Sequence, residues 1–241
     1  MITTIVLDYG GVLAYPISGN WFIPYNLLKV LGIKTTVLLF FKSRKLNNAF
    51  FKGNEYLMKN HKLFTEEEEY EQFAEFYRIV FRELKIKIPD SVVSKLANEI
   101  VYNDYKVKFY DDVMDGIKEL KQNYKVIILS DTWPSIKRIL KNNGILELLD
   151  GLVISCNHNQ TKETTGLFEI AINECGLVPA ECLFIDDSPK NLEISKLAGF
   201  NPVQMDRSNT EETSQFPLIT GLDGIKKIIN EFSQNPLADS D

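Results

Sequence analysis

The sequence predicts a three-layer α/β fold: a parallel β-sheet between two layers of helices, with an α-helical subdomain inserted after the first strand. Three observations carry this. The opening run Thr4-Ile5-Val6-Leu7 is aliphatic and β-branched without polar alternation, the pattern of a strand buried on both faces. From about Tyr15 to Lys108 the chain is helical in rhythm and unusually aromatic. From Asp112 onward strand-like and helix-like stretches alternate, as parallel sheets require. The expected organisation is a sheet domain of residues 1–14 and 109–232, a helical subdomain of residues 15–108, and a frayed polar tail at 233–241.

Composition bounds the partners. At 241 residues, 44% hydrophobic and 25% charged, the chain can bury a large core. Its net charge of -6 offers no general attraction to a phosphate backbone, so nucleic acid is not expected as a partner. Cys156, Cys175 and Cys182 form no Cys-x-x-Cys pair, and their odd number suits free thiols in a reducing compartment. Neither His61 nor His158 has a partner at metal-ligand spacing, which argues against zinc. No start resembles a signal peptide, and no segment approaches the ~18 apolar residues of a membrane span. A cytoplasmic protein with no membrane partner is expected, as a monomer or homodimer.

The elements follow in order. The first strand ends at Asp8, beside a sharp turn that Gly10-Gly11 permit. Tyr25 to Leu31 reads as a short helix stopped by Gly32. Thr35 to Phe41 has the β-branched content of a strand in helical surroundings, and is read as helix. Thr65 opens the best-marked helix: Glu68 completes a capping box, and Glu66 to Glu69 lie at the positive end of its dipole. That places the acidic run at a helix start rather than around a metal. Tyr70, Phe73, Ala74, Tyr77, Val80, Phe81 and Leu84 recur at helical spacing, and Pro89-Asp90 open another helix.

Beyond these, a helix through Val113, Ile117 and Leu120 leads to the strand Lys125–Leu129, ending at Ser130. Pro134 starts a helix stopped at Gly144, and Leu152–Ile154 is a third strand. A helix from Phe168 to Cys175 precedes the strand Cys182–Ile185, which runs into Asp186-Asp187. A helix Pro189–Leu197, a short strand Val203–Met205 and a helix Leu222–Phe232 complete the pattern.

A parallel sheet gathers the carboxyl ends of its strands along one edge, where α/β proteins bind ligands. Asp8, Ser130 and the Asp186-Asp187 pair each follow a buried strand, and Lys162 lies in the loop after the third. Singly, Asp8 also fits a turn cap, Lys162 a solvated loop lysine, and Asp186-Asp187 a capping pair before Pro189. Together they resemble the four motifs of the haloacid dehalogenase (HAD) superfamily of hydrolases, in the branch with a helical cap between motifs one and two. Asp8-Tyr9-Gly10-Gly11-Val12 is similar to motif one and Leu129-Ser130-Asp131 to motif two. Lys162 stands for motif three, and Phe184-Ile185-Asp186-Asp187-Ser188-Pro189 is similar to motif four, with Asn191 and Gly199 beyond it.

The resemblance implies a Rossmann-like core with the Asp8 strand central, flanked by the strands ending at Ser130 and Asp187. It implies a magnesium-dependent phosphatase of a small phosphorylated metabolite, working through an aspartyl-phosphate on Asp8. Asp8, the Gly10 carbonyl, Asp186 and Asp187 are the implied Mg2+ set; Ser130, Asp131 and Lys162 the implied phosphate-binding set; Asp8, Ser130 and Lys162 the implied catalytic residues.

Two departures stand out. Most phosphatases of the superfamily carry a second aspartate two residues after the nucleophile, as general acid and base, and here that position is Gly10. The family's Lys-Pro-Asp-Pro is replaced by Lys162-Glu163-Thr164-Thr165, which removes the prolines that stiffen the loop. Gly10 motivates an alternative reading, a phosphate-ligand-binding regulatory protein with weakened catalysis. A carbon–halogen hydrolase is the other alternative, although such enzymes usually have tyrosine at the Gly10 position and lack an adjacent acidic pair.

Overall fold

The structure is a computed structural model that describes residues 1–210 and 213–234. In chain order, β1 (Thr4–Leu7) and β2 (Ala14–Pro16) precede helices α1 (Leu27–Phe41), α2 (Ser43–Lys59), α3 (Glu66–Glu83) and α4 (Asp90–Val101). Then come β3 (Val107–Phe109), α5 (Val113–Leu120), β4 (Lys125–Ser130), α6 (Ile136–Asn142), β5 (Gly151–Ile154) and α7 (Ser155–His158). The chain closes with α8 (Gly166–Cys175), β6 (Cys182–Asp186), α9 (Pro189–Leu197), β7 (Asn201–Met205), β8 (Leu218–Ile219) and α10 (Gly224–Gln234). Helix α10 takes in positions 233 and 234 of the expected tail, whose remainder lies outside the described residues.

By compactness the chain divides into two units. One comprises Met1–Tyr15, Phe109–Thr132 and the chain from Leu140 onward; the other comprises Pro16–Lys108 and Trp133–Ile139.

The first unit is the α/β body. Its six strands run β5-β4-β1-β6-β7-β8, with every neighbouring pair parallel. The expected centre is observed: Leu7 of β1 stands opposite Ile128 of β4 on one side and Ile185 of β6 on the other. Strand alternation splits the core between the two faces. Val6, Ile127, Leu129 and Phe184 join Leu167, Phe168 and Ala171 of α8 and Leu192 of α9 in one apolar cluster. Ile5, Leu7, Val126 and Ile128 are equally buried, and so are Val113, Ile117 and Leu120 of α5. Covered on both faces, the central strands need no polar positions, which is why they read as continuous apolar runs.

The second unit is helical. Thr65 caps α3 as expected: its Oγ1 accepts from the Glu68 amide at 3.2 Å, and Glu68 Oε2 accepts from the Thr65 amide at 3.1 Å. The core gathers Leu57, Phe73, Phe76, Val80, Leu96 and Ile100, with Phe22 and Phe50 packed against it. Gly53 lets α2 approach α3 closely, since a Cβ there would sit 2.6 Å from the Phe76 ring. Helix α1 breaks at Gly32, whose φ of 72° stops one helical segment, and a second resumes after it. The β-branched stretch Thr35–Phe41 is therefore helical, local propensity having yielded to its surroundings.

Trp133–Ile139 groups with these helices, whereas its position after the second long strand suggested the sheet domain. Trp133 packs on Phe22, Phe73 and His61, and its Nε1 donates to Gln72 Oε1 at 2.7 Å. Two adjacent partners complete the anchor: Glu69 accepts from the Ser135 amide and hydroxyl at 2.7 and 2.8 Å, and Arg138 grips Glu66, Asp104 and the Val101 carbonyl. Other aromatic side chains of this unit, among them Trp21, Tyr25 and Phe51, are exposed.

Candidate active site

Asp8 is the first residue past β1, and its amide donates to the Ile185 carbonyl of the adjacent strand at 2.9 Å. Ser130 and Asp186 are the last residues of the flanking strands β4 and β6. All three are buried, and so is Lys162 from the loop after α7. Four polar groups far apart in sequence thus lie at one sheet edge.

Lys162 sits between two carboxylates. Its Nζ lies 2.7 Å from Asp8 Oδ1 and donates to Asp186 Oδ2 at 2.6 Å, with the Phe184 ring 5.7 Å away. Burial favours the neutral amine, but Asp8, Asp186 and Asp131 outweigh it and hold the ammonium charged well above the usual lysine range. The ion pair leaves Asp8 Oδ1 without a well-directed hydrogen bond.

Asp186 has its oxygens engaged inside the protein. The Ser188 amide donates to Oδ1 at 2.8 Å, and Asn191 Nδ2 reaches both oxygens at 3.1 and 3.2 Å. Asp187 instead reaches the solvent edge, its carboxylate lying against the backbone of Gly11. Gly11 adopts φ 73°, and a Cβ there would fall 2.1 Å from Asp187 Oδ2. Of the two glycines in the turn, Gly11 is thus the one the geometry demands.

The carboxylates of Asp8, Asp186 and Asp187 offer ligand atoms all within 4.8 Å of one another. Three carboxylates against one ammonium leave surplus negative charge. Burial first, then the neighbouring carboxylates, push Asp8 up to about 7 despite Lys162. Asp187 rises to about 6, since the surrounding protein still desolvates it at the solvent edge and Asp186 repels its charge. A divalent cation fits this set. Each of the three has a ligand atom to offer, and Asp186 also holds Lys162 and the turn into α9.

Asp131 stands elsewhere in the arrangement. Both its oxygens accept from the backbone amide of Lys162, at 3.1 and 3.2 Å. A carboxylate turned to that amide is an anchor for the Lys162 loop. It supplies the stiffening that the missing prolines do not. Ser155 adds to it by accepting from the Thr132 amide at 3.0 Å.

Arg207 carried no signal in the sequence. Its guanidinium donates to the Val12 carbonyl at 3.0 and 2.6 Å and to Asp112 at 2.9 and 2.8 Å, with its Cζ 4.3 Å from the centre of the Tyr110 ring. It pins the loop that carries Gly10 and Gly11. No periodicity or motif marks a residue whose role is to reach a carbonyl 195 positions away.

The site is thus a parallel sheet with Asp8 at the end of its central strand and a lysine bridging two strand-end carboxylates. The chain belongs to the haloacid dehalogenase-like hydrolases, whose family model matches residues 2–199. It is 30% identical over 126 residues to enolase-phosphatase E1 of Shewanella loihica, covering 48% of this chain and 53% of that one. It is 28% identical over 107 residues to D-ribitol-5-phosphate phosphatase of Bacteroides thetaiotaomicron, covering 40% and 52%. The chain spans about half the length of these curated relatives. L-2-haloacid dehalogenase of Xanthobacter autotrophicus, solved with chloropropionic acid covalently bound, shares the fold at TM-score 0.65 and 15% identity, over 95% of this chain and 99% of that one. Among the described residues no helix is long and apolar enough to cross a membrane.

Proposed function

We propose that this hydrolase is a phosphatase that removes a phosphoryl group from a small phosphorylated metabolite. The observation that carries this is the surplus of carboxylate charge at Asp8, Asp186 and Asp187, which suits a divalent cation and a phosphoryl group together. The names of the two curated relatives, both phosphatases, support the same reading.

In this reading Asp8 attacks phosphorus, the bond from phosphorus to the leaving oxygen breaks, and an aspartyl-phosphate forms on Asp8. Water then attacks that phosphorus, releasing inorganic phosphate and restoring the carboxylate. Asp8, Asp187 and the Gly10 carbonyl would hold magnesium, which when bound supplies positive charge against the repulsion between carboxylate and phosphate. Lys162 neutralises Asp8 and the phosphoryl oxygens as a point charge, and Ser130 donates to those oxygens. Asp186 and Asp131 hold Lys162 in place from its two ends.

Gly10 favours a second reading, in which the protein binds a phosphorylated ligand with little turnover. A positioned acid or base is worth ~10²–10⁴-fold, so its absence slows the reaction most for poor leaving groups. Phosphate release from p-nitrophenyl phosphate and a panel of sugar phosphates, with magnesium and with chelator, separates the two. Turnover that needs magnesium and vanishes in Asp8→Asn establishes the phosphatase. Saturable binding with no release by the wild type, even for the good leaving group, moves the assignment to a ligand-binding protein.

A further inference from the structure

We propose that the α1–α2 stretch of the helical unit is a docking surface for an anionic lipid bilayer. Two independent features of the stretch coincide. The first is an outward apolar ridge. Ile33, Val37 and Phe41 follow at four-residue spacing along the second segment of α1, so they share one face, with Leu38 beside them. Their exposures of 73%, 48%, 78% and 40% leave much of each side chain accessible to solvent, and Leu28 and Phe51 are exposed as well. Scattered surface apolar residues are ordinary, whereas an aligned set of large ones marks a contact surface.

The second feature is charge. Residues 9–54 contain six lysines and arginines and no aspartate or glutamate, in a chain whose net charge is -6. Lys29, Lys34, Arg44 and Lys45 are all exposed. None of the four takes part in an ion pair among the described residues. Lys34 lies on the apolar face itself, where its stem can lie along the ridge while its ammonium reaches a headgroup.

The shape and the charge choose among occupants. A second copy meeting this surface about a twofold axis would set its cations against the same cations. A helix-binding protein partner would need an acidic rim around an apolar groove shaped to this ridge. A fluid anionic interface needs neither, and accepts protruding apolar side chains flanked by lysine and arginine. The expectation of no membrane partner rested on the lack of a spanning segment, and surface binding requires none.

The test is co-sedimentation of the full chain with phosphatidylglycerol-containing vesicles and with pure phosphatidylcholine vesicles, at low and high salt. The expected result is binding to the anionic vesicles alone, weakened by salt. Lys34→Gln/Arg44→Gln/Lys45→Gln should lower the partition coefficient about a hundredfold, roughly fivefold for each cation removed. Ile33→Asn/Phe41→Asn should abolish binding, with circular dichroism and any turnover of p-nitrophenyl phosphate unchanged in both variants. No binding to anionic vesicles overturns the proposal, as does equal binding to neutral ones or binding that both variants retain. A wild-type dimer in sedimentation velocity that the apolar variant dissociates overturns it too, in favour of a second copy. Vesicle binding is read without substrate, so its failure is distinct from failure of the phosphatase reading.

Discussion

Lys162 is the residue on which the site turns, because its ammonium is the cation shared by two buried carboxylates. Replacing it by methionine leaves Asp8 and Asp186 buried with no counter-charge, which costs roughly 3–5 kcal/mol when one partner of a buried pair is removed. Turnover should fall ~10²–10³-fold, the loss expected for a group that stabilises charge in the transition state. Urea unfolding and steady-state phosphate release measure the two effects, and a variant as stable as wild type would contradict the geometry. Gly10 gives the opposite experiment. Unlike Gly11 it is not among the glycines of positive φ, so its backbone accepts an aspartate. Gly10→Asp places a carboxylate where the family carries its acid and base, and kcat should rise by about 10²-fold or more toward substrates with poor leaving groups. An unchanged rate would mean that proton transfer is already supplied elsewhere.

At the scale of elements, α3 holds the segment that follows Ser130 and Asp131. Glu69 is buried in the helical unit with the Ser135 amide and hydroxyl as partners. Burial, opposed by Lys106 and those hydrogen bonds, raises its pKa to about 7, against 4.5 for the ordinary side chain. The folded chain therefore holds this proton more tightly than the unfolded chain. The resulting stabilisation is complete below the unfolded value and is lost as pH rises through about 7. Glu69→Gln keeps both contacts, because the Ser135 hydroxyl can accept from the amide nitrogen, and it carries no charge to desolvate. The variant should gain on wild type between acid and mildly alkaline pH, by on the order of 3 kcal/mol in urea-derived stability. Parallel pH profiles for the two chains would show that Glu69 is not the titrating group.

At the scale of the molecule, metal and fold should be linked. A cation that binds the native strand-end cluster and not the unfolded chain stabilises by about 2.7 kcal/mol at a hundredfold excess over its Kd. For a chain of this length that corresponds to a rise in Tm of roughly 5–10 °C. Adding magnesium should produce this shift in a calorimetric scan, chelator should reverse it, and Asp187→Asn should remove most of it. A Tm indifferent to magnesium would leave the three carboxylates without their expected counter-ion and favour the ligand-binding reading.

The sequence by itself determined the sheet, its central strand and the helices around it, since strands buried on both faces and helices with an apolar stripe write their periods directly into residue order. It also named Asp8, Ser130, Lys162 and Asp186-Asp187, because each stands at a strand end or in a loop after one. Thr65 and Glu68 announced α3 through local hydrogen bonds that need no tertiary partner. What only the tertiary structure decided depends on groups distant in the chain. Asp131 turned out to clamp the Lys162 amide, Arg207 to pin the Val12 carbonyl, and Gly11 to give way to the Asp187 carboxylate. Trp133 and Ser135 found their partners on α3 rather than among the strands. Short strands such as Ala14–Pro16 and Leu218–Ile219 were silent, being too brief for a period to register. Local patterns report burial and capping, which are properties of neighbours in sequence; which carboxylate meets which amide is set by closure of the chain in three dimensions.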